Sequence, residues 1–307
     1  MTLEETITAL NMAMPKQQQK TPEPKNQPSY SDIYYTDVHA ERQSMDIYLP
    51  EHISGTAPVI IYIHGGAWTV GSKADIQYNS YDVHVLAEKL LEAGYAIAAL
   101  NYRLMPEHRY PAQTDDVISA VKFLYEHAAE YKLDSDRMTI MGESAGGFLT
   151  EYAATTLGTD YLKACVAFYS PSDLSTLTAQ NIKVHRGKDV NFMDLLDAAM
   201  QGTLPKGEKM EEMLLCAHIN TPSFEEKAKA VSPVNRVSAK TPPTLLLHGT
   251  DDRIIAYEQS LTYLEQLKTA HVPCELISME GANHMEPKLF NSLEYTNKII
   301  TFLKQYT

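Results

Sequence analysis

Residues 137–147 read RMTIMGESAGG, an apolar run that ends at a serine flanked by Gly142, Gly146 and Gly147. Glycine inside a regular element costs about 0.5–1 kcal/mol relative to alanine, so this cluster needs a reason. A strand that turns tightly into a helix supplies one. Ser144 then occupies a strained turn, and the glycines keep side chains out of the space where helix crosses strand. The helix predicted over 145–157 puts Ser144 at its N-terminus, where unpaired N–H groups favour a developing negative charge. A turn whose serine merely caps a helix would carry the same letters, so the rest of the chain has to decide.

Outward from this turn, short apolar runs alternate with helix-like stretches. PVIIYIHG (58–65) is near-continuously apolar and β-branched, which suits a central strand covered on both faces. Further strands are predicted at 31–37, 44–49, 95–102, 138–142, 165–170, 244–249 and 274–279, and helices at 80–93, 112–132, 145–157, 255–270 and 288–305. The alternation predicts the α/β class, a mostly parallel central sheet with helices on both faces. Functional groups of such sheets gather beyond the carboxyl ends of the strands.

The rhythm breaks once. About seventy-five residues separate the runs at 165–170 and 244–249, where an ordinary connection takes about 2–6. Within them NFMDLLDAAM (191–200) and EKMEEMLLCAHI (208–219) carry apolar residues three and four apart. They predict a helical insertion over about 173–238, a lid on the carboxyl edge of the sheet. Residues 1–28 end in a proline-rich polar stretch and are predicted to be an arm outside a domain of 29–307.

Composition excludes several classes. The formal charge is −13, with 39 acidic against 26 basic residues, so no nucleic-acid partner is expected. Cys165, Cys216 and Cys274 are far apart and odd in number, which argues against a disulfide framework or a zinc site. No apolar segment approaches the ~20 residues of a membrane span and no basic, apolar leader opens the chain. The expectation is a cytoplasmic protein without a membrane partner.

A serine hydroxyl attacks well only when a base takes its proton and an acid orients that base. Both follow the serine in the order this architecture uses. The run at 244–249 ends in TDDRII, which offers Asp251 and Asp252, and the run at 274–279 ends in EGANHMEP, which offers His284. HGGAW (64–68), after the run at 58–63, offers backbone N–H groups of Gly65 and Gly66 to an oxyanion, with the N–H of Ala145 completing the hole. His64 reads as an orienting residue of that loop, and Trp68, the one tryptophan, as a candidate wall of the substrate pocket. Arg103, Glu107, Asp115 and Asp116 read as structural ion pairing. Glu143, beside the serine, is expected to point away from substrate and to transfer no proton.

HGGAW, NYRLMPEHRYPAQTDDV (101–117), DSDRMTIMGESAGG (134–147), SPVNRVSAKTPPTLLLHGTDD (232–252) and GANH together resemble an α/β-hydrolase carboxylesterase. The resemblance is to the hormone-sensitive-lipase-like esterases and the acetyl-xylan and feruloyl esterase-like group. It implies the α/β-hydrolase fold, with Ser144 as nucleophile, His284 as base and Gly65, Gly66 and Ala145 as oxyanion donors. It also selects Asp252, four residues after the histidine of HGTDD, as the acid. Ala67 and Trp68 replace the third glycine of the lipase-like branch, a pattern more typical of acetyl-esterase-like and arylformamidase-like relatives.

That pattern leaves the substrate open; a cytoplasmic location and no visible interfacial surface point to a soluble short-chain ester, an acetylated sugar or a plant phenolic ester, cleaved without cofactor or metal. A homodimer is a candidate state, since the arm needs a surface to cover. An arylformamidase-like amidase and a non-catalytic binding protein on the same fold are the competing readings.

Overall fold

The computed structural model describes residues 27–78, 82–185 and 209–307. Its strands are β1 (Tyr30–Tyr34), β2 (Ser44–Tyr48), β3 (Ala57–Ile63), β4 (Ala96–Leu100), β5 (Leu133–Glu143), β6 (Ala164–Phe168), β7 (Thr244–Gly249) and β8 (Cys274–Met279). They form one sheet in the order β1-β2-β4-β3-β5-β6-β7-β8. β2 pairs antiparallel with β1 and β4, and the remaining pairs are parallel. The helices are α1 (Asp75–Tyr78), α2 (Val83–Glu92), α3 (Ala112–His127), α4 (Ala145–Leu157), α5 (Leu177–Val184), α6 (Met210–Leu215), α7 (Pro222–Val231), α8 (Glu258–Thr269), α9 (Lys288–Asn291) and α10 (Leu293–Tyr306).

The period of two along β3 divides the core. Val59, Ile61 and Ile63 face one layer with Val117 and Leu124 of α3 and Phe148 and Leu149 of α4. Ile60 and Tyr62 face the other, with Leu86 and Leu90 of α2 and Ile299 and Leu303 of α10. This is the mostly parallel sheet, covered on both faces, that the alternation predicts.

Strand order also sets which loops become neighbours. Ile63 is in register with Gly142, so the loop after β3 and the turn after β5 leave the sheet side by side. Gly249 is in register with Met279, so the loops after β7 and β8 do the same. One strand, β6, separates the two pairs.

Element bounds differ from expectation in two instructive places. The helix predicted over 112–132 ends at His127 and tightens into a single turn, Ala128–Tyr131, before Lys132 reverses the chain with φ 58°. The helix predicted over 288–305 is broken at Ser292, whose φ −76° and ψ 122° are extended backbone of the kind found at an N-cap. In the segment between β6 and β7, α6 falls within the predicted 208–219, whereas 191–200 lies outside the described residues, as does the arm up to residue 26. Arg103 forks onto Asp116 with contacts of 2.7–3.0 Å, and Asp116 also accepts from Gln43 at 2.7 Å, so this pair ties the loop after β4 to α3.

Candidate active site

β5 ends at Glu143, and Ser144 has φ 53° and ψ −121°, positive φ at a non-glycine residue. Such backbone costs about 1–3 kcal/mol and persists only when its surroundings enforce it. Here the Ser144 N–H donates to the Phe168 carbonyl at 3.0 Å, while the Ser144 carbonyl accepts from Phe148 at 3.0 Å. The glycines answer to the same crossing. A side chain on Gly146 would run into the backbone of Ile63 and His64, and one on Gly142 would run into Gly146 itself.

The structure brings the predicted acid, base and nucleophile together. Ser144 Oγ lies 3.0 Å from His284 Nε2, and His284 Nδ1–H donates to Asp252 Oδ2 at 2.7 Å. With Nδ1 protonated toward the carboxylate, Nε2 offers its lone pair to the serine hydroxyl. Asp252 and Asp251 are told apart by direction. Asp252 is buried, and its Oδ1 accepts the amides of Ile254 and Ile255 at 2.8 Å each. Asp251 is exposed and pairs with the Arg253 guanidinium. Burial pushes the Asp252 carboxyl up, but His284 and then His248 beside it outweigh that and hold it well below the ordinary carboxylate value.

The glycine loop requires a correction. The N–H of Gly65 is directed at the Glu143 carboxylate, donating to Oε1 at 2.5 Å, so it does not face the serine hydroxyl's side as an oxyanion donor. The carboxylate that takes it is buried. Among the described residues the amides of Gly66, Ala67 and Ala145 have no hydrogen-bond partner. Of the predicted donors Gly66 and Ala145 are thus free, and Ala67, with φ 53°, joins them.

Trp68 is the second correction. It is completely buried and meets Phe148 edge-on at 5.4 Å, so it belongs to the core under the loop and presents no pocket surface. His64 does hold the loop. Its ring stacks on Tyr102 at 4.3 Å, its Nδ1–H donates to the Gly65 carbonyl at 2.8 Å, and Arg42 approaches its Nε2 at 3.3 Å. Burial, with the Arg42 charge second, lowers the His64 imidazole to about 3, which favours its neutral form.

The BD-FAE family model matches residues 45–267, most of the chain and every site residue except His284. The chain belongs to the BD-FAE family. It is 31% identical over 227 residues to the "Probable carboxylic ester hydrolase LipM" of Mycobacterium tuberculosis, covering 70% of this chain and 46% of the relative. It is 28% identical over 255 residues to the "Probable isoprenylcysteine alpha-carbonyl methylesterase ICMEL1" of Arabidopsis thaliana, covering 80% and 49%. The chain therefore spans about half the length of the curated relatives it matches. A truncated carbohydrate esterase from gut microbiota superposes with a TM-score of 0.74 at 24% identity, over 94% of this chain and 99% of that one, which shows the shared α/β-hydrolase fold.

In this BD-FAE chain three further residues belong to the site's framework. His248 is buried at the end of β7, its Nε2 lying 3.2 Å from Asp252 Oδ2 and 3.0 Å from the Ile255 carbonyl. The histidine of HGTDD was legible in the sequence, though only as a marker for the acid. Glu143 anchors the glycine loop through its carboxylate. Tyr169, after β6, sets its ring edge-on to His284 at 4.4 Å, and no local sequence signal announces that contact. Among the described residues no cluster of His, Cys, Asp or Glu could hold a metal, and no helix is long and apolar enough to cross a membrane.

Proposed function

We propose that this protein is a serine carboxylesterase working by two-step acyl transfer, with residues 29–307 as its catalytic domain and about 173–238 as an insertion in it. The observation that carries the reading is the Ser144–His284–Asp252 hydrogen-bond chain, and the unpaired amides of Gly66, Ala67 and Ala145 support it. Ser144 Oγ attacks the ester carbonyl while His284 Nε2 takes its proton, and the Asp252 charge stabilises the imidazolium. The carbonyl oxygen becomes an oxyanion received by the three amides, with α4 directing the positive end of its dipole at the same point. His284 then hands its proton to the departing alcohol. A water, deprotonated by the same nitrogen, releases the acid and restores the serine.

The substrate class we favour is a short-chain, acetyl-like ester, such as an acetylated sugar or a plant phenolic ester. The esterase names of the curated relatives support the ester bond, and HGGAW fits acetyl-esterase-like and arylformamidase-like relatives alike. Ser144→Ala should abolish turnover of p-nitrophenyl acetate and labelling by a fluorophosphonate, and full activity in that variant would refute the nucleophile. A panel of acyl lengths, with N-formylkynurenine as the amide comparison, tests the substrate class. A steep rise beyond octanoyl, or preference for the formamide, would overturn it.

A further inference from the structure

The loop that carries Asp252 is held from outside by α5, the first helix after β6. Asn181 of α5 grips it with both ends of its amide: Nδ2 donates to the Ile254 carbonyl at 2.8 Å, and Oδ1 accepts the Ala256 N–H at 3.2 Å. At the end of the same helix His185 Nε2–H donates to the Arg253 carbonyl at 2.8 Å, and Arg253 Nη1 returns a bond to the Val184 carbonyl at 3.1 Å. Gln180 anchors the helix to α8 through Gln259 at 2.7 Å. The gripped residues include Ile254 and flank Ile255, the two whose amides fix Asp252 Oδ1.

The loop also reaches the base. Asn283 Oδ1 accepts the N–H of Arg253 at 2.9 Å and of His284 at 2.8 Å, so a shift of residues 253–256 is passed to His284 as well as to Asp252. A buried carboxylate is useful to a histidine only while its oxygen lies in line with Nδ1. Misplacement by about 1 Å can cost on the order of 10²-fold in rate.

We propose that α5 is a clasp on the acid loop, with Asn181 and His185 as positioning residues for Asp252. The inference rests on the esterase reading above. It assigns the segment between β6 and β7 a part in catalysis that is separate from covering substrate.

The test uses the full chain, with kcat and KM for p-nitrophenyl acetate and the rate of fluorophosphonate labelling. Asn181→Ala should lower kcat by roughly 10- to 100-fold, slow labelling in proportion, and leave KM within about twofold. His185→Ala should lose less. His185→Gln, whose amide N–H can stand where Nε2–H stood, should recover most of that loss. Lys183→Ala, exposed on the same helix, should match wild type.

Folded Asn181→Ala with wild-type kcat and labelling would overturn the clasp, as would a loss carried wholly by KM, which would make α5 a substrate wall. If Asn181→Ala fails to fold by circular dichroism, the His185 pair decides, and His185→Gln as slow as His185→Ala refutes the idea. Wild-type protein that resists labelling would sink the esterase reading and the clasp together, whereas labelled wild type with an indifferent Asn181→Ala sinks the clasp alone.

Discussion

Gly65 and Glu143 stand 78 positions apart in the chain and are joined by a 2.5 Å hydrogen bond from amide to carboxylate. That bond couples the glycine loop to the residue beside the nucleophile and determines which amides remain free. Glu143→Ala should release the loop, so that the amides of Gly66 and Ala67, the proposed oxyanion donors, lose their aim. Loss of one oxyanion donor is worth about 2.7–4 kcal/mol, and misalignment should cost part of that, roughly 10- to 100-fold in kcat. Glu143→Gln keeps an acceptor oxygen and should retain more activity than the alanine variant. Equal kcat in wild type and Glu143→Ala would disprove the coupling.

His248 faces two acceptors with one nitrogen and takes a bond at Nδ1 from the Ser260 hydroxyl at 2.7 Å. Replacement by phenylalanine keeps a ring but strips the N–H from Asp252 and from the Ile255 carbonyl. A buried acceptor left unpaired costs about 1–3 kcal/mol. The expected outcome is an unfolding free energy in urea lower by that amount, together with a kcat reduced about tenfold. Unaltered unfolding and turnover would show that the bond carries nothing.

Glu151 lies inside α4, completely buried, with Oε2 accepting from Ser170 at 2.9 Å and Oε1 unpaired among the described residues. Burial raises its carboxyl to about 8, from 4.5 in the unfolded chain, the nearby serines opposing this only in part. Between these values the unfolded state gives up a proton that the folded state keeps. Stability from this group is therefore greatest below the lower value and falls as pH rises, by up to about 1.4 kcal/mol per pH unit. Glu151→Gln should gain on wild type in urea unfolding between about pH 5 and pH 8. A difference that does not change with pH would contradict the assignment.

Trp68 is the single tryptophan, and its burial against Phe148 predicts effects on stability and not on selectivity. Trp68→Ala should cost about 3–5 kcal/mol while the ranking of acyl lengths stays as in wild type. A variant that is equally stable but newly accepts long acyl chains would return Trp68 to the pocket wall.

The sequence alone determined the features that depend on neighbours along the chain. Alternating apolar runs and helical patterns specify the sheet and its covering helices, and the glycines around Ser144 announce a turn between strand and helix. His284 is legible because it follows the last strand. All of these follow from backbone periodicity and turn chemistry, which act over a few residues.

Tertiary structure decided whatever depends on direction. Asp251 and Asp252 are chemically identical neighbours; the residues by themselves leave both open, and only the folded loop turns one toward Ile254 and Ile255 and the other toward Arg253. The Gly65 amide is taken up and the Ala67 amide left free because pairing of β3 with β5 brings Glu143 against one amide and not the other. The partner of an N–H or a carboxylate is whatever strand order carries to it across the fold, and a local pattern holds no record of that.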